Sequence, residues 1–123
     1  MADAQTGQRW QVVDYEQADG QFPIREYLAS LDDRNARQAA ALLAKLAERG
    51  NQMRPPDSVA VEGQRNLFEL RGHQVRIFYM FLPGRMIVLL DGIVKKQDKI
   101  ARRDLDRVLA YQRDVEHRGP RAP

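Results

Sequence analysis

The stretch from Asn66 to Arg103, NLFELRGHQVRIFYMFLPGRMIVLLDGIVKKQDKIARR, constrains the fold more than any other. Apolar runs alternate with short turn signals, and the runs are rich in β-branched, aromatic and aliphatic residues. The pattern predicts an antiparallel meander. Its strands are expected at Leu67–Arg71, Val75–Leu82 and Met86–Val94, with tight turns at Gly72-His73 and Pro83-Gly84. Gly72 and Gly84 are expected to supply the φ freedom that such turns ask for. Along the middle strand, Val75, Ile77, Tyr79 and Phe81 point one way and Arg76, Phe78, Met80 and Leu82 the other. Both faces are largely apolar, so this strand should be central and covered on both sides. Arg76 is the exception. A cation near the start of a buried strand needs a carboxylate or a phosphate. Glu69 and Asp91, on the neighbouring strands, are candidate structural partners, and substrate binding is the other reading.

The rest of the chain supplies cover for this sheet. Trp10–Tyr15 reads as a short strand paired with the meander. Pro23 suits the first turn of a helix, and Ile24, Tyr27, Leu28 and Leu31 recur at helical spacing. Asp32-Asp33 can cap a second helix, from about Arg34 to Arg49, with Ala39, Leu42, Leu43 and Leu46 as its apolar stripe. Gly50 is a natural stop. Asn51–Arg65 reads as a connector, with Pro55-Pro56 forbidding helix. A last helix opens at Asp98 or Ile100. Leu105, Val108, Leu109, Gln112 and Val115 form a weak stripe on it, and His117–Pro123 is expected to fray. The expected class is α+β: two N-terminal helices packed on a small twisted, mainly antiparallel sheet, with a C-terminal helix.

The 123 residues suit one domain, with a core at about 10–115 and frayed ends. The absence of cysteine excludes disulfides and thiolate metal sites. MADAQTGQRW has no secretory apolar run and no segment approaches a membrane span, so a cytoplasmic protein without membrane contact is expected. Net charge is +3, but the stretch from Leu67 to Arg103 holds eight cations against three anions, leaving the remainder at −2. A local positive field is the usual footprint of a polyanion partner, although basic runs are often only solvated helix starts.

No phosphate-binding glycine loop, histidine pair at metal spacing or Ser/His/Asp arrangement is present. His73 falls in a turn and His117 in the expected fraying end. The only constellation is cationic and aromatic: Arg71, Arg76, Tyr79, Lys95, Lys96 and Lys99. Such a set suits metal-free phosphate chemistry on RNA, in which a 2′-hydroxyl attacks its neighbouring phosphate and fixed cations stabilise the developing charge. A lysine among like charges has a lowered pKa and can serve as base or acid. The alternative is that Tyr79 is core and the lysines are solvated.

Three segments together carry a resemblance: GQFPIREYLASL at Gly20–Leu31, NLFELRGHQVRIFYMF at Asn66–Phe81, and GRMIVLLDGIVKKQDKIARRDLDRVL at Gly84–Leu109. In order and spacing the chain resembles the RelE/ParE superfamily of toxins from bacterial toxin–antitoxin pairs, and within it the phage-associated, HigB-like branch. The match runs from about Tyr15 to Arg113. The resemblance implies a RelE-like α/β fold and a toxin that cleaves mRNA on the ribosome and so inhibits translation. It further implies neutralisation by a helix-turn-helix antitoxin, with DNA contacted only through that partner, and no cofactor. By motif, the implied catalytic residues are Arg71, Arg76, Lys95 and Lys96. Tyr79, Lys99, Arg102 and Arg103 are the implied RNA-binding residues, and no metal is implied. The chain departs from the pattern in several places. Asp91 stands where the branch has His, and Ile93 where it has Phe. The Thr and Pro of the basic turn are replaced around Asp98–Ala101, and Tyr111 is too far along to match the tyrosine of the last helix. A carboxylate beside phosphate-binding lysines would oppose anion binding. A ParE-like gyrase inhibitor and a degenerate protein that only binds its antitoxin therefore stay open.

Overall fold

The computed structural model describes residues 9–94 and 99–121. Its elements are β1 (Gln11–Asp14), α1 (Pro23–Ala29), α2 (Asp33–Arg49), a short 3-10 turn (Gly50–Gln52), β2 (Ser58–Ala60), β3 (Phe68–Gly72), β4 (Val75–Leu82), β5 (Met86–Val94) and α3 (Arg102–Arg118). The strands form one sheet in the order β1-β5-β4-β3-β2. β1 runs parallel to β5, and the other pairings are antiparallel.

Each helix forms for local reasons. Pro23 occupies the first turn of α1, where its missing N–H costs nothing. Asp32 caps α2, its carboxylate accepting from the Asn35 N–H at 2.8 Å. Leu42 and Leu46 of α2 are buried with Ile24 and Tyr27 of α1 against Leu70, Val75, Ile77 and Tyr79 on one face of the sheet. α3 covers the other face, where Val108 and Val115 meet Phe78, Met80, Val88 and Leu90. β4 is thus central and buried on both sides, with the alternation its sequence predicts.

Four expectations change. The connector contains β2, whose Ser58 and Ala60 pair with Leu70 and Phe68. The hairpin turn falls on His73-Gln74, and His73 rather than Gly72 takes positive φ, at 51°. Gly72 is required for close approach instead: a Cβ there would lie 2.5 Å from the Gln38 amide and 2.8 Å from Leu42 of α2. α3 begins at Arg102, later than expected. The C-terminal segment is also pinned as far as Pro120 rather than frayed, while Ala122 and Pro123 lie outside the described residues. Glu16 N–H donates to the Pro120 carbonyl at 2.7 Å, and Arg118 clasps Asp114, which accepts a hydrogen bond from the Tyr15 hydroxyl.

One irregularity sets up the site. Phe78 lies opposite Asp91 and Tyr79 opposite Leu89, so Leu90 is an extra residue in β5. Such a bulge resets the alternation. It brings Asp91 to the α3 side after Leu90, and places Gly92 beneath the Tyr27 ring of α1. A Cβ on Gly92 would lie 2.3 Å from that ring.

Candidate functional site

The β3–β4 hairpin brings the key cations together. Its register sets Arg71 opposite Arg76 and Glu69 opposite Phe78, while β5 adds Ile93 beside Arg76 and Asp91 beside Phe78. Two adjacent rows result on the α3 side: Glu69–Phe78–Asp91, then Arg71–Arg76–Ile93. Glu69 is 4% exposed. Its Oε1 receives Nε of Arg71 at 3.1 Å and Nε of Arg76 at 3.3 Å. Arg76 also donates to the carbonyls of His73 at 3.1 Å and Val75 at 2.7 Å. Burial pushes its pKa down and Arg71 pushes the same way, while Glu69 opposes both. Arg71 is much more open, its side chain 45% exposed. Opposed like charges in a ladder repel, so the shared carboxylate is what makes this arrangement stable.

Tyr27 ties α1 to the same rows. Its hydroxyl donates to the Ile93 carbonyl at 3.0 Å and accepts from the Arg76 N–H at 3.3 Å. Burial raises its pKa, so it stays a neutral phenol that can play both roles.

Asp91 does not meet the site as a bare charge. It is 7% exposed and pairs with Nε of Arg107 at 2.8 Å, and it accepts from the Gly92 N–H. Arg107 reaches Asp104 as well, at 2.9 Å. Burial lowers the Arg107 pKa, and the hydrogen bonds to Asp91 and Asp104 outweigh it, leaving the guanidinium above its ordinary range. The Asp91 charge is thus paired by Arg107, a residue the sequence reading missed, which it shares with Asp104. The sequence offered Asp91 as a partner of Arg76; the structure gives Arg76 to Glu69 and Asp91 to Arg107 of the covering helix, because the Leu90 bulge turns Asp91 toward α3. Beside this pair, an open cleft of about 520 Å³ runs between α1 and α3, lined by Gln17, Glu26, Tyr27, Asp91, Arg107 and Tyr111.

The remaining expected site residues divide. Tyr79 is 1% exposed, on the opposite face of the sheet from the arginines. Its hydroxyl and that of Ser58 hydrogen-bond at 2.6 Å, and its ring stacks on Phe68 at 5.5 Å. This corrects the expectation of an RNA-binding role, because a buried ring offers no face to a base. Lys99, Arg102 and Arg103 are exposed at and just before the start of α3, with Arg102 facing Asp106 at 3.2 Å. Lys95 and Lys96 lie outside the described residues. The strand that leads to them ends at Val94, opposite Val75 and one residue beyond the Arg76–Ile93 pair. Among the described residues, no three His, Cys, Asp or Glu side chains gather in a way that could hold a metal ion.

Residues 26–113 match the family described as phage derived protein Gp49-like (DUF891). No curated protein matches the chain in sequence. Among solved structures, the chain is similar to the archaeal RelE-RelB complex from Pyrococcus horikoshii OT3, with TM-score 0.56 and 19% identity over 72% of this chain and 98% of that one. It is also similar to the toxin-antitoxin complex RelBE2 from Mycobacterium tuberculosis, with TM-score 0.52 and 13% identity over 71% of this chain and 99% of that one. These likenesses bear out the expected RelE-like architecture, and the match over residues 26–113 means that the chain belongs to the phage-derived Gp49-like family.

Proposed function

We propose that the protein is the toxin of a toxin–antitoxin pair and that it cleaves mRNA on the ribosome without a metal. The observation that carries this reading is the Arg71–Arg76 pair, fixed side by side over one buried carboxylate. Two guanidiniums held in register match the non-bridging oxygens of a phosphodiester better than two mobile lysines would. The fold shared with RelE of RelE-RelB complexes supports the toxin assignment.

In the proposed reaction the 2′-oxygen of the RNA attacks the adjacent phosphorus, and its proton passes to a base. The bond to the 5′-oxygen breaks and that oxygen takes up a proton. The products are a 2′,3′-cyclic phosphate and a 5′-hydroxyl. Arg71 and Arg76 orient the phosphate and stabilise its developing charge. Lys95 and Lys96 are assigned the proton transfers, with Lys99, Arg102 and Arg103 steering the RNA backbone.

The test is induced expression without an antitoxin, followed by mapping of RNA ends. Growth arrest with 5′-hydroxyl ends on ribosome-bound messages is expected, and a deoxyribose at the attacking nucleotide should block cleavage. Arg76→Ala should relieve the arrest while remaining soluble. Cutting of the deoxy-substituted message, or 5′-phosphate ends, would remove this mechanism. Arrest with intact messages and inhibited gyrase would move the assignment to a gyrase-directed toxin.

A further inference from the structure

We propose that Glu69 is a positioning residue of this site, an internal stand-in for the phosphate that aligns Arg71 and Arg76 at some cost in anion affinity. The inference rests on the phosphate-site reading above and adds a role for a carboxylate that the reaction itself does not use.

The geometry is specific. Glu69 lies two residues before Arg71 on β3 and diagonal to Arg76 on β4, on the α3 side of the sheet. A single oxygen, Oε1, meets Nε of both guanidiniums, at 3.1 and 3.3 Å. A phosphate oxygen bridging two arginines would meet them in the same way. Because Glu69 engages each guanidinium through Nε, the contact does not use the outer edge of Arg71, whose side chain remains 45% exposed. Among the described residues, no hydrogen bond takes up that edge. Arg76 is anchored independently by the carbonyls of His73 and Val75. Arg71 is the partner that depends on Glu69, because an open arginine loses much rotamer freedom when it is fixed.

Two opposite consequences follow. The Glu69 charge cancels one of the two positive charges, so it weakens the attraction of any polyanion. It also fixes both guanidiniums before the RNA arrives, so it favours the transition state over loose binding. A carboxylate that only stabilised the fold would produce no such split.

The experiment compares Glu69→Gln and Glu69→Asp with the wild type as full-length chains, folding being checked by circular dichroism. Affinity is read with a short fluorescein-labelled 2′-O-methyl RNA, which cannot be cut. Rate is read by single-turnover cleavage of message on programmed ribosomes. Glu69→Gln is expected to bind the RNA about three- to tenfold tighter, with its log–log salt slope steeper by about 0.7 for the one cation released. Its cleavage rate is expected to fall about tenfold or more, since misplacement of a positioned group by about 1 Å costs up to about a hundredfold. Glu69→Asp keeps the charge but withdraws the oxygen. Its affinity should stay within about twofold of wild type while its rate falls. Loss of affinity in folded Glu69→Gln, or an unchanged rate, overturns the assignment. Should Glu69→Gln fail to fold, Glu69→Asp decides: weakened binding or an undiminished rate overturns it. A wild type that binds RNA without cutting it removes the endonuclease reading, and the tightening by Glu69→Gln then tests Glu69 alone. A wild type that does neither overturns both.

Discussion

Asp91 and Arg107 form a pair whose members stand on unequal ground. The Asp91 side chain is 10% exposed, while that of Arg107 is 36% exposed and also meets Asp104. Removing one partner of a buried pair strands the other, typically at about 3–5 kcal/mol. Arg107→Ala would strand Asp91 with only the Gly92 N–H as a described donor. Because water reaches the outer side of the pair, the expected loss is smaller, about 2–3 kcal/mol. Asp91→Asn keeps an acceptor for Gly92 and leaves Arg107 on Asp104 and solvent, so about 1 kcal/mol is expected. Urea denaturation at neutral pH measures both. Equal losses, or a larger loss for Asp91→Asn, would show that the pair is not asymmetric in this sense. Half of this chemistry could be read in the sequence. The need for a partner to Asp91 was visible in a charge on a buried strand. Its identity was not, because the Leu90 bulge that turns Asp91 toward α3 leaves no trace in the alternation of Met86–Leu90.

At the scale of elements, α3 is joined to the start of the chain by polar contacts at its far end. Tyr15, on the residue after β1, donates to Asp114, and Arg118 holds the same carboxylate and reaches the Glu16 carbonyl at 3.3 Å. Arg118 and the Tyr15 hydroxyl both hold the Asp114 pKa below its ordinary value. Burial, with Asp114 beside it, raises that of Tyr15. The signs differ. A depressed carboxylate adds stability above its unfolded pKa of about 3.9, and the gain is lost as pH falls through the folded value. A raised phenol adds stability that is full below about pH 10 and is lost as pH rises beyond it. Asp114→Asn should therefore flatten the acid limb of the stability curve, and Tyr15→Phe the alkaline limb. Thermal melts across pH check this, and an acid limb unchanged in Asp114→Asn would sink it. The sequence missed this clasp because Tyr15 and Asp114 are far apart along the chain and the helix stripe is weak. Gln112 sits within that stripe as a buried polar residue, donating to the carbonyls of Arg65 and Asn66 at 2.9 and 3.0 Å. β2 was hidden for another reason. Its three residues, between Pro55-Pro56 and Gly63, are too few to show a period. The meander and α2 were legible because their runs are long: eight residues in β4 and seventeen in α2, each with a clear period.

Over the whole molecule, charge and topology point to how the protein would be held inactive. Among the described residues no helix is long and apolar enough to cross a membrane. The meander region is positive while the remainder of the chain is negative, so a partner that silences the site should present acidic side chains to the Arg71–Arg76 rows. Such a partner gains twice. It neutralises the guanidiniums, and it excludes RNA by occupying the same oxygen-binding edges. We propose that this partner is an antitoxin of the helix-turn-helix kind, with DNA recognised by the antitoxin and not by this chain. Co-expression should yield a tight complex that binds DNA, while the isolated chain shows no sequence preference. Arg71→Glu is the informative variant because its side chain is half open; it sets a second carboxylate beside the buried Glu69, so its folding is checked first by circular dichroism. Placing an anion against an acidic segment should weaken the complex by tenfold or more, about 1.4 kcal/mol for each tenfold. The change should appear mainly as faster dissociation if the contact is buried, and as slower, salt-sensitive association if it lies at the rim. Surface plasmon resonance at two salt concentrations separates these cases. An affinity for the antitoxin indifferent to Arg71→Glu would place the antitoxin elsewhere on the surface and detach neutralisation from this site.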